Sequence, residues 1–248
     1  MRILLTNDDG IHAPALDALV EEFAALGEVT VVVPDRDQSA TSHSLTLHRP
    51  LRTRVVRPNW YSVDGTPTDC VLFAYHGLLD HPPDLVVSGI NHGPNMGEDV
   101  FYSGTVAAAI EGAMQGSPAI AASLVTREHT DFREPARFVR ALAVESLARG
   151  FGGKRVLNVN LPFRPAAEIR GVRLTRLGTR VYRDTLVTKE DPRGRPYHWI
   201  GGLDPQWEDH EGTDFHAVHA GFISITPLAF DLTDYRTLVD MESWQIEP

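Results

Sequence analysis

The chain has 248 residues, enough for one large domain or for a core with an extension. Its formal net charge of -10 at pH 7 argues against binding to a nucleic-acid polymer or to an anionic membrane surface. Because Cys70 is the single cysteine, the sequence excludes an internal disulfide and a cysteine zinc site.

The N-terminus enters a strand directly, without the pattern of a signal peptide, and no apolar stretch is long enough to span a bilayer. Hydrophobic residues make up 42% of the chain, which is enough for a sizeable core. We therefore expect a cytoplasmic protein with no membrane partner.

The first 34 residues have the pattern of a strand, a helix and a second strand. Ile3–Leu5 is a continuous apolar run, as in strands that are covered on both faces. Residues 14–26 carry apolar side chains at helical spacing, and Val29–Val33 is again apolar. This order predicts an α/β fold with a mostly parallel sheet.

Two adjacent carboxylates, Asp8 and Asp9, follow the first strand and precede Gly10. Neighbouring side chains of a strand point to opposite faces, so both can reach one point only where the chain turns, which Gly10 permits. Carboxylates that lie close together repel each other unless a cation or a proton lies between them. Because ligands of open α/β sheets bind at the carboxyl ends of strands, the pair predicts a cation site. A helix N-cap role explains one aspartate but not both.

Polar side chains follow two further predicted strands. Ser39 lies in the loop of residues 35–44, and Asn91 and Asn95 lie in the glycine-rich loop 88–97 after the strand Leu85–Val87. For most polar residues of the first loop, a plain solvated surface is the simpler interpretation. All the candidate ligand atoms are oxygens, which favours Mg²⁺, Mn²⁺ or Ca²⁺ over a structural zinc.

A helix is predicted to begin at Ser103-Gly104-Thr105, with Ser103 as its N-cap. The free N–H groups of a first helical turn form an anion site, although this short motif alone is a weak signal. A metal beside a phosphate cradle indicates phosphoryl hydrolysis. Elsewhere, Thr66-Pro67-Thr68-Asp69 predicts a helix start in which Asp69 is structural, and this helix is expected to run to about Leu79.

The C-terminal third has a different character. We interpret residues 172–201 as one long hairpin with its turn at Asp191–Gly194, and Phe222–Thr226 as a last core strand. A lone hairpin is marginal in water, so its apolar residues are expected to contact another subunit, the alternative being that the hairpin folds over its own active site as a lid. These positions are Val181, Tyr182, Tyr197, Trp199 and Ile200, with residues 233–244 as a short helix that also crosses to a neighbour.

Seven stretches distributed over nearly the whole chain carry a family resemblance: Ile3–Pro14, Pro34–Ser39, Gly65–Cys70, Val87–Gly112, Leu157–Pro162, Asp191–Gly194 and Gly221–Leu228. Together they resemble the SurE family of metal-dependent phosphatases, known as 5'- and 3'-nucleotidases. Ala15 departs from the glycine expected at that position, which affects the local turn and not the ligands.

The resemblance implies one divalent cation per subunit, Mg²⁺ or Mn²⁺ with Ca²⁺ as an alternative, and a nucleoside monophosphate substrate. It also implies 5'-nucleotidase activity, with 3'-nucleotides and short polyphosphate as further candidate substrates, and a homodimer or homotetramer. The implied metal ligands are Asp8, Asp9, Ser39 and Asn91, and the implied phosphate-binding residues are Asn95, Ser103, Gly104 and Thr105. Asp8, Asp9 and Asn95 are the candidate catalytic residues.

The implied organisation is a Rossmann-like core over residues 1–165, which carries the metal site, followed by residues 166–248. This second segment holds the projecting hairpin and the C-terminal oligomerisation region, with the strand near 222–226 returning to the core.

Two other functions compete with this one. A phosphatase that uses Asp8 as covalent nucleophile expects Asp-x-Asp after the first strand, whereas here the carboxylates are adjacent. A non-catalytic nucleotide-binding module expects Gly-x-Gly-x-x-Gly or a P-loop lysine, and the first βα turn offers only Gly10. We favour a water nucleophile with Asp9 as general base. His12, His43 and His92 are candidates for the general acid, but the resemblance assigns that role to none of them.

Overall fold

The structure is a computed structural model that describes residues 1–126, 128, 131–152, 154–181, 186–200 and 206–246. Within these ranges, the helices are α1 (Ala15–Phe23), α2 (Pro67–Phe73), α3 (Gly104–Met114), α4 (Arg133–Ala148), α5 (Asp214–His219) and α6 (Tyr235–Met241). The strands are β1 (Arg2–Thr6), β2 (Glu28–Pro34), β3 (Thr53–Arg57), β4 (Trp60–Val63), β5 (Leu85–His92), β6 (Ala119–Val125), β7 (Arg155–Pro162), β8 (Val172–Leu174), β9 (Arg180–Val181), β10 (Leu186–Glu190), β11 (Pro196–Ile200), β12 (Gln206–Trp207) and β13 (Ile223–Ala229).

The central sheet has nine strands in the part of the chain that the structure describes, in the order β3-β4-β2-β1-β5-β6-β7-β13-β8. Its neighbouring strands are parallel except for the pairs β3–β4 and β7–β13, which are antiparallel. The predicted mostly parallel α/β fold is therefore confirmed. The chain leaves β1 toward β2 on one side and returns to β5 on the other. The strand order thus reverses between β1 and β5, which is where open α/β sheets form their ligand crevice.

Both faces of the sheet are covered, which explains the continuous apolar runs in its strands. Ile3 and Leu5 pack on one face with α1 and α4, whereas Leu4 packs on the other with α2 and α3. Alternate residues of one strand thus belong to two separate apolar layers. None of the helices in the described ranges combines the length and the apolarity that crossing a bilayer requires.

Helix α3 lies unusually close to the sheet. A Cβ atom added at Gly112 would lie 2.7 Å from Cγ2 of Val86 in β5, so a side chain at this position would push the helix outward. The glycine therefore permits the close approach that brings the first turn of α3 to the carboxyl ends of β1 and β5.

Two predicted boundaries in the first half of the chain were wrong. Strand β5 continues to His92, so Asn91 lies in a strand, paired with Ser123 after a shift in register, and not in a loop. The helix expected to reach Leu79 is α-helical only to Phe73 and continues as a π-helical turn over Ala74–Leu78. Its start is as predicted, because Thr66 and Asp69 form a reciprocal capping box.

The single hairpin predicted for residues 172–201 was wrong. Strand β8 joins the central sheet beside β13, and β9, which contains Val181, pairs with β12. Among the described residues of this range, β10 and β11 alone pair as a hairpin, and the N–H of Gly194 donates to the carbonyl of Asp191 at 2.9 Å in its turn. Periodicity predicted the strands, but it carries no information about which partner each strand finds.

The apolar side chains of the β10–β11 hairpin are exposed, with Trp199 64% and Ile200 90% accessible to solvent. Tyr182 lies outside the described residues. Strands β8 and β13 belong to the central sheet although they follow residue 165. The division of the chain at that residue and the subunit contact of the hairpin stay predictions.

Candidate metal and phosphate site

The turn after β1 is fixed by its own side chains. Buried Asn7 donates from Nδ2 to the carbonyl of Gly10 and accepts the N–H of Gly10 at Oδ1, both at 3.1 Å. Gly10 has a φ of 88°, and a Cβ atom there would lie 2.8 Å from the backbone of Arg36. Only glycine fits both conditions. The sequence analysis missed Asn7, although Asn-x-x-Gly before a turn is a recognisable signal.

Asp8 lies at the N-terminus of α3. Its Oδ1 accepts a hydrogen bond of 2.5 Å from the Thr105 hydroxyl, and the backbone N–H of Thr105 also donates to the carboxylate. Burial raises the pKa of Asp8, and the hydrogen bonds from Thr105 oppose that rise. The positive end of the helix therefore holds a carboxylate of the protein itself.

Asp9 is half-buried beside Asp8. It accepts the backbone N–H of His92, which brings the turn after β1 against the end of β5. Burial is the main cause that raises the pKa of Asp9 to about 6, and the charge of Asp8 is the second. Asp37 adds a further negative charge near both aspartates. A bound cation would relieve this repulsion.

The loop that carries Ser39 lies across this turn. The backbone N–H of Gln38 donates to the carbonyl of Asp8 at 2.8 Å, and the N–H of Ser39 donates to Oδ1 of Asp37 at 2.8 Å. Further along, the hydroxyl of Ser42 donates to the carbonyl of Phe101, just before α3. Ser39 itself is exposed, so its hydroxyl is accessible to a ligand at the rim of the site.

Asn91 reaches the same edge from β5. Its Nδ2 donates to the carbonyl of Gly93 at 2.9 Å. Because the nitrogen is engaged within the protein, the side-chain oxygen is the atom that Asn91 offers to a cation. The structure thus brings Asp8, Asp9, the loop of Ser39 and Asn91 to one place at the carboxyl edge of the sheet.

Asn95 lies farther along that edge, above β6 and β7. Asn158 and Asn160 both donate from Nδ2 to its carbonyl, at 2.8 and 2.9 Å, and its own N–H donates to Oδ1 of Asn160. Its side-chain nitrogen donates to the hydroxyl of Ser123 at 2.8 Å. The sequence analysis missed Asn158 and Asn160, although two asparagines at alternate positions of an apolar strand indicate one polar face.

The first turn of α3 is largely used inside the protein. The hydroxyl of Ser103 accepts the N–H of Val106 at 3.1 Å, and the N–H of Thr105 is directed to Asp8. A Cβ atom at Gly104 would lie 2.8 Å from Cβ of Asp8 and 2.9 Å from its Oδ2. This turn therefore positions Asp8, and the phosphate-binding role of Ser103, Gly104 and Thr105 stays a prediction.

The three histidines near the site differ in their surroundings. His43 pairs with Glu111 of α3, with Nε2 and Oε2 2.9 Å apart. His92 contacts the carbonyl of Glu128 through Nε2 and packs edge-on against Phe132. His12 is exposed. The rings of His43 and His92 are thus engaged with groups of the protein.

The donor atoms of the site fit a hard cation. Among the described residues, no group of three or more His, Cys, Asp or Glu side chains is arranged to hold a metal ion. The candidate set instead combines two carboxylates with a hydroxyl and an amide oxygen, contributed by Asp8, Asp9, Ser39 and Asn91. An all-oxygen set with two negative charges suits Mg²⁺, Mn²⁺ or Ca²⁺. Burial raises the pKa values of both aspartates, and a cation bound beside them would favour their charged forms.

Comparison with known proteins identifies relatives over the whole chain. Residues 3–184 match the family model described as survival protein SurE. A protein of Geobacter sulfurreducens named 5'-nucleotidase SurE is 53% identical over 247 residues, covering 99% of this chain and 94% of its own. A protein of Myxococcus xanthus with the same name is 52% identical over 248 residues, with the same coverage. The crystal structure of the SurE protein from Aquifex aeolicus superposes with a TM-score of 0.86 at 42% identity and covers 98% of both chains.

The pKa of Asp9 predicts a pH-dependent stability in the metal-free protein. The ordinary pKa of this carboxyl is 3.8, and the folded value is about 6, so ionisation is disfavoured in the native state. Stability is therefore lost as the pH rises from about 4 through 6. We expect Asp9→Asn to be more stable than the wild type at pH 8 by about 1–3 kcal/mol, with no gain at pH 4. Urea unfolding of chelator-treated protein at both pH values measures this, and equal stabilities at pH 8 would contradict it.

The contact between Gly104 and Asp8 predicts a site-specific loss of activity. In Gly104→Ala, the new methyl group displaces Asp8, and we expect kcat/KM for a phosphate ester to fall by about ten- to a hundred-fold. Gly116→Ala is the matched control, because Gly116 follows α3 with a φ of 103° and an added methyl group there meets no atom within 4 Å, so the substitution strains the backbone without touching the site. Each variant should lose about 1–3 kcal/mol of stability. Equal activity losses in both variants would show that the contact with Asp8 has no special role.

Proposed function

The chain belongs to the SurE survival-protein family, and from this premise we propose that it is a divalent-metal-dependent phosphatase that hydrolyses nucleoside 5'-monophosphates. Nucleoside 3'-monophosphates and short polyphosphate are further candidate substrates. The observation that carries the proposal is the pair Asp8 and Asp9, two carboxylates with raised pKa values at the point where the strand order reverses.

The residues that would hold the cation are Asp8, Asp9, Ser39 and Asn91. When bound, a divalent cation would neutralise phosphate charge and lower the pKa of water for attack on phosphorus. Asp8 is held by two donors of Thr105, so its carboxylate presents a fixed position. Asn91 is oriented by its hydrogen bond to Gly93, and the loop of Ser39 by the bond from Gln38 to the carbonyl of Asp8.

Asp9 is the candidate general base. Its ionised carboxylate, beside the cation, would accept a proton from an attacking water. Its carboxylate is held by the N–H of His92. Asn95 would donate to a phosphate oxygen from its second amide hydrogen, since the first is directed to Ser123.

Covalent attack by Asp8 is the alternative mechanism. The hydroxyl and the backbone N–H of Thr105 both donate to the Asp8 carboxylate, and hydrogen bonds of this kind reduce the nucleophilicity of an anion. This arrangement supports water as the nucleophile. Trapping of a phosphorylated Asp8 during turnover would show that Asp8, and not water, is the nucleophile.

Metal dependence gives the direct test of the proposed function. We expect excess EDTA to abolish hydrolysis of a nucleoside monophosphate and Mg²⁺ or Mn²⁺ to restore it. Asp8→Ala and Asp9→Ala should each lower kcat by at least about 100-fold, because each removes a ligand, while the fold is kept. Steady-state kinetics and calorimetric titration with Mn²⁺ measure both effects.

The control for this experiment is Asp80→Asn. Asp80 is exposed and precedes β5, at the edge of the sheet opposite the site, so the variant should keep wild-type kinetics. Full activity in excess EDTA would refute the metal requirement. If the protein hydrolyses no phosphate ester with any of the cations, the proposed phosphatase activity is refuted.

We also propose that the protein is a homodimer or homotetramer. The exposed aliphatic and aromatic side chains of the β10–β11 hairpin and the exposed Trp244 of the tail support this proposal, because isolated proteins rarely leave such groups in water. Light scattering across a wide dilution series should give a mass of two or four chains. Trp199→Ser combined with Ile200→Ser should lower that mass. A monomer mass at every concentration would contradict the proposal.

A further inference from the structure

An apolar pocket of about 240 Å³ lies beside Asn95. Its walls include Pro94, Met96, Val125, Trp207, Phe215 and Val218, and we call it the Trp207 pocket. The rings of Trp207 and Phe215 are stacked, with centroids 5.2 Å apart and planes inclined by 6°. Phe215 is buried whereas Trp207 is partly exposed, so part of this aromatic wall is accessible from outside.

A buried carboxylate holds the chain segments that form one wall of the pocket. Asp214 is fully buried at the start of α5 and accepts the N–H groups of Gly97 and Gly178 at 2.8 Å and of Phe215 at 2.9 Å. Three segments that are distant in sequence are thus joined at one side chain. Phe215 is held in place in this way, and the pocket is formed before any ligand arrives.

The position of the pocket relates it to the site. Pro94 and Met96 flank Asn95 in the chain, and Val125 and Pro162, paired in register, lie at the carboxyl ends of β6 and β7. The pocket and the carboxylates therefore share one edge of the sheet. Neighbouring strands are about 4.8 Å apart, so the ends of β6 and β7 lie roughly 10–14 Å from the end of β1. Asn95 lies over β6 and β7, directly beside the pocket.

We propose that the Trp207 pocket binds the base of the nucleotide whose phosphate is hydrolysed at Asp8 and Asp9. This inference rests on the proposed function and adds the element that distinguishes a nucleotide from other phosphate esters. A nucleoside 5'-monophosphate carries its base on C1' and its phosphate on the C5' oxygen of the ribose, so the sugar separates the two groups. The volume suits a flat ring system and is too small for a whole nucleotide, since pockets for larger ligands measure about 300–1,000 Å³.

The lining of the pocket defines what it recognises. Its walls are mostly apolar and so suit the face of a base, while Asp99, Arg164 and His219 also line the pocket. Base–aromatic stacking is tolerant of sequence because every base has a π-face. The pocket therefore favours nucleotides over sugar phosphates without selecting one base.

Two variants test the proposal by different means. Trp207→Ala removes the accessible ring, and Val218→Phe fills the pocket without touching the carboxylates. For each, we expect kcat/KM for AMP to fall by at least about ten-fold, while kcat/KM for ribose 5-phosphate, which has no base, stays within two-fold of the wild type. Trp207→Phe keeps an aromatic ring and should recover most of the activity toward AMP. Circular-dichroism melting shows whether each variant folds, and Val218→Phe keeps the test decisive if Trp207→Ala does not.

Three outcomes would overturn the proposal. Equal losses for AMP and ribose 5-phosphate would make the pocket a structural element, and unchanged kinetics for both would leave it without a role in catalysis. A selective loss for AMP in Tyr102→Ala, and not in the pocket variants, would place the base on the exposed Tyr102 beside Ser103 instead.

A binding measurement separates this proposal from the proposed function. Adenosine, which carries no phosphate to hydrolyse, should quench the tryptophan fluorescence of the wild type, and Trp207→Phe should remove that change. Trp244→Phe, which alters an exposed tryptophan of the tail, is the control and should retain it. If the wild type hydrolyses no phosphate ester but the quenching follows Trp207, the proposed function fails and the pocket assignment stands. Absence of any adenosine binding in an active enzyme would refute the pocket alone.

Discussion

Holding two neighbouring carboxylates together at the end of a buried strand costs free energy, and the arrangement of the site depends on how this cost is offset. Asp8 and Asp9 follow β1, the strand about which the order of the sheet reverses. Burial and mutual repulsion both disfavour their ionised forms. Against this, the protein supplies hydrogen bonds from Thr105 to Asp8 and from the backbone of His92 to Asp9. These hydrogen bonds fix the positions of both carboxylates, to which the proposed cation would bind.

Side-chain amides and backbone groups, more than charged side chains, hold the loops around that pair. Asn7 closes the turn, and Asn158 and Asn160 hold the backbone at Asn95. Neutral donors can fix a loop without neutralising the carboxylates. A lysine or arginine at the same place would itself supply the positive charge that the proposed cation brings. The acidic net charge of the chain is in keeping with loops that are held by neutral donors and not by basic side chains.

The sequence predicted the parallel sheet, the order of its elements and the gathering of Asp8, Asp9 and Asn91 at one edge, because hydrophobic periodicity and strand polarity determine all three. It did not predict that β8 and β9 find partners far along the chain, since pairing depends on which edges remain open after the core has formed. Nor did it predict that Thr105 would hold Asp8. A helix N-terminus attracts any anion, and sequence spacing does not tell a carboxylate of the protein from a phosphate of a ligand. The Trp207 pocket was missed because its walls come from four separated stretches of chain.

The buried carboxylate of Asp214 has a consequence for how this molecule can diverge. The four candidate cation ligands all precede residue 92, whereas the aromatic wall lies between residues 206 and 219, where Asp214 accepts the backbone N–H groups of Gly97 and Gly178 from elsewhere in the chain. The proposed cation ligands and the proposed base-stacking wall therefore lie in different parts of the chain. If residues 206–219 were replaced and Asp214 retained, the protein would accept phosphate esters of a different leaving group. The candidate cation ligands would not have to change. In this architecture, new substrate ranges can evolve through a short segment near the C-terminus.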